Sequence, residues 1–362
     1  MSSDKQPLRH GRGATHNPVN RFDTYHHERV DDGWGNLDAE PAPLVTSLTI
    51  DSSRTVISYN QSPDVPFDRS INPYRGCEHG CVYCFARPTH AYLGLSPGLD
   101  FESKLSYKPA AAELLRAELG KKSYQCQPIA LGINTDAYQP VERKLGITRQ
   151  ILEVLQRCHH PVSIVTKSAL IERDSDILGA MAQNNLASVA ISITTLDKKL
   201  ARRLEPRAAA PQRRLETIHR LSAVGIPVTV LVAPLIPVLT DSELESILAA
   251  AHEAGADAAG YVLIRLPHEV NELFTAWLAE HEPLKADHVM NRIHDCRGGK
   301  AYEARFGERM VGRGLYAELL QRRFQLALKR LGFPGVGELD TRQFRAPQRL
   351  DNRQLDLFSP PG

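Results

Sequence analysis

The chain has 362 residues, 42% of them apolar, and a formal net charge of +2. Six cysteines over that length exclude a disulfide scaffold, and no apolar run approaches the length of a membrane span. With no leader pattern at its start, the chain is expected in the reducing cytoplasm, without a membrane partner and as one large domain or two modest ones.

Residues 1–54 are polar, with many His, Arg, Asn, Asp and Gly and few aliphatics. Such a stretch buries too little apolar area to offset its ordering entropy, so it is expected to be a largely irregular or disordered arm. Its His10, His16, His26 and His27 read as solvated side chains. A core is expected over 55–298, opening with a strand near 69–72. Cys77, Cys81 and Cys84 follow that strand with the spacing Cys-x3-Cys-x2-Cys. Soft thiolates this close select zinc or iron–sulfur. A structural zinc site closes its shell with four ligands, usually as two separated pairs, and no second pair follows here. A cubane cluster needs four ligands, so three cysteines leave one iron open to a small molecule.

Beyond the loop, short β-branched runs read as buried parallel strands at 129–133, 162–166, 188–193, 228–233 and 260–265. Amphipathic stretches near 109–119, 146–157, 174–184, 211–223 and 241–254 read as the helices between them. Repeated strand–helix units require a parallel sheet with right-handed crossovers. Six units predict an α/β fold, a partial (β/α)6 TIM-like barrel with its site at the carboxyl ends of the strands, where the cysteine loop lies. Residues 299–332 predict a helical extension of one or two basic amphipathic helices, with Phe306, Leu315, Leu319, Leu320, Phe324, Leu328 and Leu331 near helical spacing. Residues 292–349 carry 13 Lys/Arg against 6 Asp/Glu, which leans towards an anionic partner such as DNA. From 333 to 362 the chain reads as an extended tail.

The cysteine loop, with Tyr83 before its last cysteine, resembles the signature of the radical S-adenosylmethionine (SAM) enzymes. Thr166-Lys167-Ser168, Ser192-Ile193-Thr194, Glu205-Pro206-Arg207 and Val232-Ala-Pro-Leu-Ile236 follow in an order similar to that of the spore photoproduct lyase-like subgroup, over roughly residues 65–265. The resemblance implies a 4Fe–4S cluster on Cys77, Cys81 and Cys84, and SAM bound at the open iron. It further implies reductive cleavage to methionine and a 5′-deoxyadenosyl radical, with the electron from a donor such as flavodoxin or ferredoxin. On this reading Tyr83 lies against the adenine, Lys167 meets the SAM carboxylate, Ser192 meets its carboxylate or amino group, and Asn134 and Asp136 meet its ammonium. Glu205 and Arg207 either contact the cofactor or pair with each other. The lyase carries a hydrogen-donating cysteine at the end of its second strand, whereas the matching stretch here, Gly132-Ile-Asn-Thr-Asp136, has no thiol. Tyr138 or Cys296 are candidates to replace that donor.

In the tail, Gln354-Leu-Asp-Leu-Phe358 resembles the pentapeptide by which bacterial polymerases and repair proteins dock on the sliding clamp. Leu355, Leu357 and Phe358 would be apolar anchors and Gln354 a hydrogen-bonding rim residue. These features lead to an enzyme acting on DNA damage or a modified base. The alternatives are the same chemistry on RNA, protein or a small molecule, a non-catalytic iron–sulfur redox sensor that docks on the clamp, and a structural zinc module.

Overall fold

The computed structural model describes residues 11–23 and 44–347. Its strands are β1 (Ser47–Ile50), β2 (Ile57–Tyr59), β3 (Arg69–Ile71), β4 (Tyr74–Arg75), β5 (Lys104–Tyr107), β6 (Ile129–Leu131), β7 (Val162–Thr166), β8 (Ala187–Ser192), β9 (Val228–Leu235) and β10 (Ala258–Leu263). Seven of them form one sheet in the order β10-β9-β8-β7-β6-β3-β2. All neighbours are parallel except β2, which runs antiparallel to β3. β1, β5 and β4 make a small separate sheet.

The six parallel strands are the expected partial barrel. Helices Ala111–Leu119, Ile147–Arg157, Ser175–Ala182, Pro211–Ala223 and Leu244–Glu253 connect them. β6 is buried on all three residues, and β7 buries Val162, Ile164 and Thr166, as strands covered by helices on one side and facing a filled interior on the other must. Among the helices with no counterpart in the sequence reading, the two longest are Glu269–His281 and Ala286–Asp295. Their Val270, Phe274, Trp277, Leu278, Val289 and Ile293 build a second core that packs on Cys81, Val82 and Tyr83, so this pair backs the cysteine loop.

The extension differs from expectation. Its helix spans only Leu315–Leu331, burying Ala317, Leu320, Phe324 and Ala327, with Phe324 against Tyr261 of β10. Residues 299–314 are irregular, and Phe306 is exposed. The cause is local: Gly307, Gly312 and Gly314 adopt φ of 82°, 81° and 86°, where a right-handed helix cannot continue. This segment is a strap across the open side of the barrel. The Leu263 amide donates to Met310 O at the β10 edge. At the β2–β3 connection the Gly307 amide donates to Asp64 Oδ1, and the Arg309 guanidinium reaches Asp64 and Ser62.

The described parts of the arm are irregular over 11–23, yet packed. Ala14 and Asn20 are buried, Gly13 and Ala14 amides donate to Glu102, and Arg21 pairs with Glu269. Backbone-to-carboxylate bonds replace the apolar burial that the composition lacks. The tail from 333 to 347 crosses the floor of the barrel, where the Gly335, Asp340 and Arg345 amides donate to the carbonyls of Asp257, Asn185 and Cys158. Gln354, Leu355, Leu357 and Phe358 lie outside the described residues.

Candidate active site at the mouth of the barrel

β3 delivers the cysteine loop to the carboxyl end of the sheet. Cys77 and Cys81 are buried, Cys84 is half-buried, and all three thiols are free. Burial pushes each thiol up, and for Cys77 the neighbouring Asp136 and the other two thiols add to the effect. Three such thiols become thiolates only when a positive centre takes them as ligands. Among the described residues no group of three His, Cys, Asp or Glu side chains is disposed to hold a single metal ion. Three thiolates are one ligand short of a closed zinc shell.

The loop is shaped from both sides. The Gln139 side chain accepts from the Glu78 amide and donates to Gly76 O. Arg87 is fully buried, donating to Cys81 O and pairing with Glu102, whose carboxylate also takes the Gly13 and Ala14 amides. Gly80 has φ +67°, and a Cβ there would stand 2.7 Å from Glu102 Oε2, so the close approach of carboxylate to loop needs glycine.

Four expected residues from four segments meet beneath the loop. Lys167, just past β7, places Nζ 2.7 Å from Ser192 Oγ at the end of β8 and 2.9 Å from Ala233 O in β9. It lies 3.2 Å from Glu205 Oε1 and 5.7 Å from the centre of the Tyr83 ring. The Tyr83 hydroxyl donates to Glu205, and Thr194 adds a hydroxyl to the same carboxylate. Burial favours the neutral form of Glu205, but Arg214 and Lys167 outweigh it and hold this carboxyl well below the usual range. Asp136 sits alongside, accepting from Thr166 Oγ1 at 2.7 Å and the Lys167 amide at 2.8 Å, with His79 Nδ1 at 3.3 Å. Burial also opposes its ionisation, and His79 and these donors again win.

Other expected placements change. Glu205 and Arg207 do not pair with each other: Glu205 is taken by Arg214 and Arg207 by Glu78. Asn134 is exposed, and its amide donates to Asn72. Neither candidate hydrogen donor joins the cluster. The Tyr138 hydroxyl is buried and committed to Asp174, while Cys296 is buried in the main core beyond β10. Among residues the sequence reading passed over, Thr194 was readable as the next same-face position after Ser192. Arg214 carries no such signal, since a basic residue in an amphipathic helix reads as solvent-facing. Glu78 and His79 read only as spacers between cysteines. Beside the loop, a cavity of about 510 Å³ is lined by Arg12, Thr46, Glu78, Lys144 and Arg207.

A family model for the radical SAM superfamily matches residues 71–251, the span from β3 and the cysteine loop to the helix after β9. The chain belongs to the radical SAM superfamily. It is an enzyme of that superfamily whose reaction is open. An uncharacterised protein of Mycobacterium tuberculosis is 37% identical over 247 residues, which cover 67% of this chain and 73% of that protein. An uncharacterised protein of Methanocaldococcus jannaschii is 28% identical over 173 residues, 48% of this chain and 62% of its own. Among solved structures, spore photoproduct lyase complexed with dinucleoside spore photoproduct superposes with a TM-score of 0.57 at 14% identity, over 79% of this chain and 80% of that one. A double mutant of the same lyase, with bound AdoMet and dinucleoside spore photoproduct, gives 0.56 at 13% over the same shares. At these identities the likeness is one of fold. Among the described residues no helix is long and apolar enough to cross a membrane.

Proposed function

We propose that this radical SAM enzyme holds a 4Fe–4S cluster on Cys77, Cys81 and Cys84, binds SAM at the barrel mouth and acts on nucleic acid, as a DNA repair or base-modifying enzyme of the cytoplasm. When bound, the cluster and SAM supply a reductive carbon–sulfur cleavage that yields methionine and a 5′-deoxyadenosyl radical able to take a hydrogen atom from a substrate.

The observation that carries the reading is the Lys167 ammonium, gathered by Ser192, Thr194 and Ala233 O directly beneath Tyr83 of the cysteine loop. Its one charged partner, Glu205 at 3.2 Å, is shared with Arg214, so two cations face a single carboxylate and a second carboxylate is suited to this place; the SAM methionine supplies one. Asp136, kept ionised beside it, suits the ammonium of the same ligand. Buried Tyr83 and Thr194 keep this pocket dry.

For the substrate, the support is the basic strap and helix after residue 292 and the fold neighbour described with a dinucleoside photoproduct. Spore photoproduct repair itself is not proposed, because Gly132–Asp136 lacks a thiol and Cys126 precedes β6, at the floor. An acidic electron donor such as flavodoxin or ferredoxin and, through Gln354–Phe358, the bacterial sliding clamp complete the proposed partners.

The test is anaerobic reconstitution followed by SAM and a reductant, with 5′-deoxyadenosine measured by chromatography. Release of 5′-deoxyadenosine, lost when any of Cys77, Cys81 or Cys84 becomes alanine, is expected. An intact cluster that never cleaves SAM, with or without damaged DNA, refutes the reading.

A further inference from the structure

Among the described residues an arginine at the barrel mouth has no ion-pair or hydrogen-bond partner. Arg265 lies just past β10, at the carboxyl end of the last strand, where the Ile264 amide still donates to Leu235 O. Its guanidinium stacks 4.4 Å from the centre of the Phe85 ring, and Phe85 directly follows Cys84. Arg265 is half-buried, and its surroundings pull its pKa down, burial foremost. Among the described residues it makes no ion pair and no guanidinium hydrogen bond. The other inward arginines are all committed. Arg87 has Glu102, Arg214 has Glu205, and Arg297 donates to the carbonyls of Leu263, Ile264, Glu308 and Arg309. Asp64, an acidic neighbour, is already taken by Arg309 and the Gly307 amide.

A half-buried cation with no ion pair or hydrogen bond among the described residues keeps its donors for a ligand that brings an anion. The guanidinium lies over the Phe85 ring, and its paired N–H donors form a fork. Such a fork matches two oxygens of a phosphate. The adjoining strap offers Lys300, Arg305 and Arg313 as exposed cations, a setting for a polyanion rather than for a lone carboxylate. We propose that Arg265, lying over Phe85, is the receptor for a backbone phosphate of the nucleic-acid substrate, at the cluster-side rim of the mouth. This rests on the nucleic-acid reading above and adds the position at which the strand is gripped.

The test uses the reconstituted holoprotein under anoxia and a fluorescein-labelled single-stranded oligodeoxynucleotide, read by anisotropy over a salt series. Arg265→Ala is expected to weaken binding by about ten-fold and to flatten the salt slope by about one, with Arg265→Lys restoring only part. Arg157→Ala, an exposed position at the floor end of the helix before β7, is the comparison and is expected to bind as wild type. SAM affinity by calorimetry stays unchanged, and the melting temperature of Arg265→Ala holds, because the half-buried guanidinium makes no ion pair or hydrogen bond among the described residues. Equal affinity and salt slope in wild type and Arg265→Ala overturn the proposal. So does a fall in melting temperature with loss of both ligands, which marks a structural arginine, or a selective loss of SAM affinity. Wild type that binds no oligonucleotide at any salt removes the nucleic-acid reading itself, and this assignment with it.

Discussion

Lys167 and Glu205 are the two residues whose charges organise the mouth. Lys167→Ala leaves Glu205 with its Arg214 partner, so the fold is expected to hold while SAM binding weakens. A hydrogen bond to a charged group is worth about 1.5–3 kcal/mol, which corresponds to roughly ten-fold or more in dissociation constant; anaerobic calorimetry reads it, and unaltered affinity would remove Lys167 from the SAM site. Glu205→Gln is different, because it leaves Lys167 and Arg214 facing each other without their anion. Breaking a buried pair this way costs about 3–5 kcal/mol, measurable by urea unfolding at neutral pH. The sign with pH follows from a carboxyl depressed by Arg214 and Lys167 against burial. Its contribution is complete above the unfolded glutamate value of about 4.3 and fades as pH falls from there through the lower folded value. The stability gap between wild type and Glu205→Gln should therefore be constant from neutral pH down to that value and narrow below it.

At the scale of elements, two irregular segments do structural work that no helix or strand could. The strap of residues 299–314 joins the β10 edge to the β2–β3 connection, so the open side of the barrel is spanned without further strands. Gly312 is its tightest point: φ is +81°, and a Cβ would stand 2.7 Å from Leu263 Cδ2 and 3.0 Å from Cys296 O. Gly312→Ala is expected to lower stability by about 1–3 kcal/mol and to expose the strap to limited proteolysis before the barrel; cleavage at the wild-type rate would show that the strap tolerates a side chain there. The second segment is the tail over the floor, where Phe344 packs on Tyr124 and buried His160. Burial pushes the His160 imidazole down to about 4. The unfolded chain takes up the proton first, so this site is fully stabilising above the ordinary histidine value of about 6.5. It loses about 1.4 kcal/mol per pH unit as pH falls towards the folded value. Hydrogen-exchange protection factors at residues 340–347, taken relative to the intrinsic rate at each pH, should fall over that window, and His160→Gln should remove that fall.

Across the whole molecule, the two ends of the barrel have separate duties. The mouth gathers the cysteine loop, the Lys167 cluster and Arg265. The floor carries the tail, and Pro347, lying against Gly120, is where the chain leaves the described fold. Ending the chain at Pro347 is expected to leave the melting temperature and 5′-deoxyadenosine release unchanged while abolishing binding to an immobilised sliding clamp. Undiminished clamp binding by the shortened chain would discard the docking peptide.

Much of this protein was legible in its residues. β-branched runs separated by amphipathic stretches fixed the parallel sheet, because burial on both faces demands continuous apolar strands, and the cysteine spacing located the centre. Tyr83, Lys167, Ser192 and Glu205 were identifiable at strand ends or in the loops that follow them. What only the tertiary structure decided was pairing and direction. Glu205 meets Arg214 rather than Arg207, Tyr138 and Cys296 lie away from the mouth, and the strap replaces the first turns of an expected helix. Periodicity reports which face of an element is apolar, but a charge finds its partner through contacts between segments tens of residues apart, and those exist only once the barrel has closed around them.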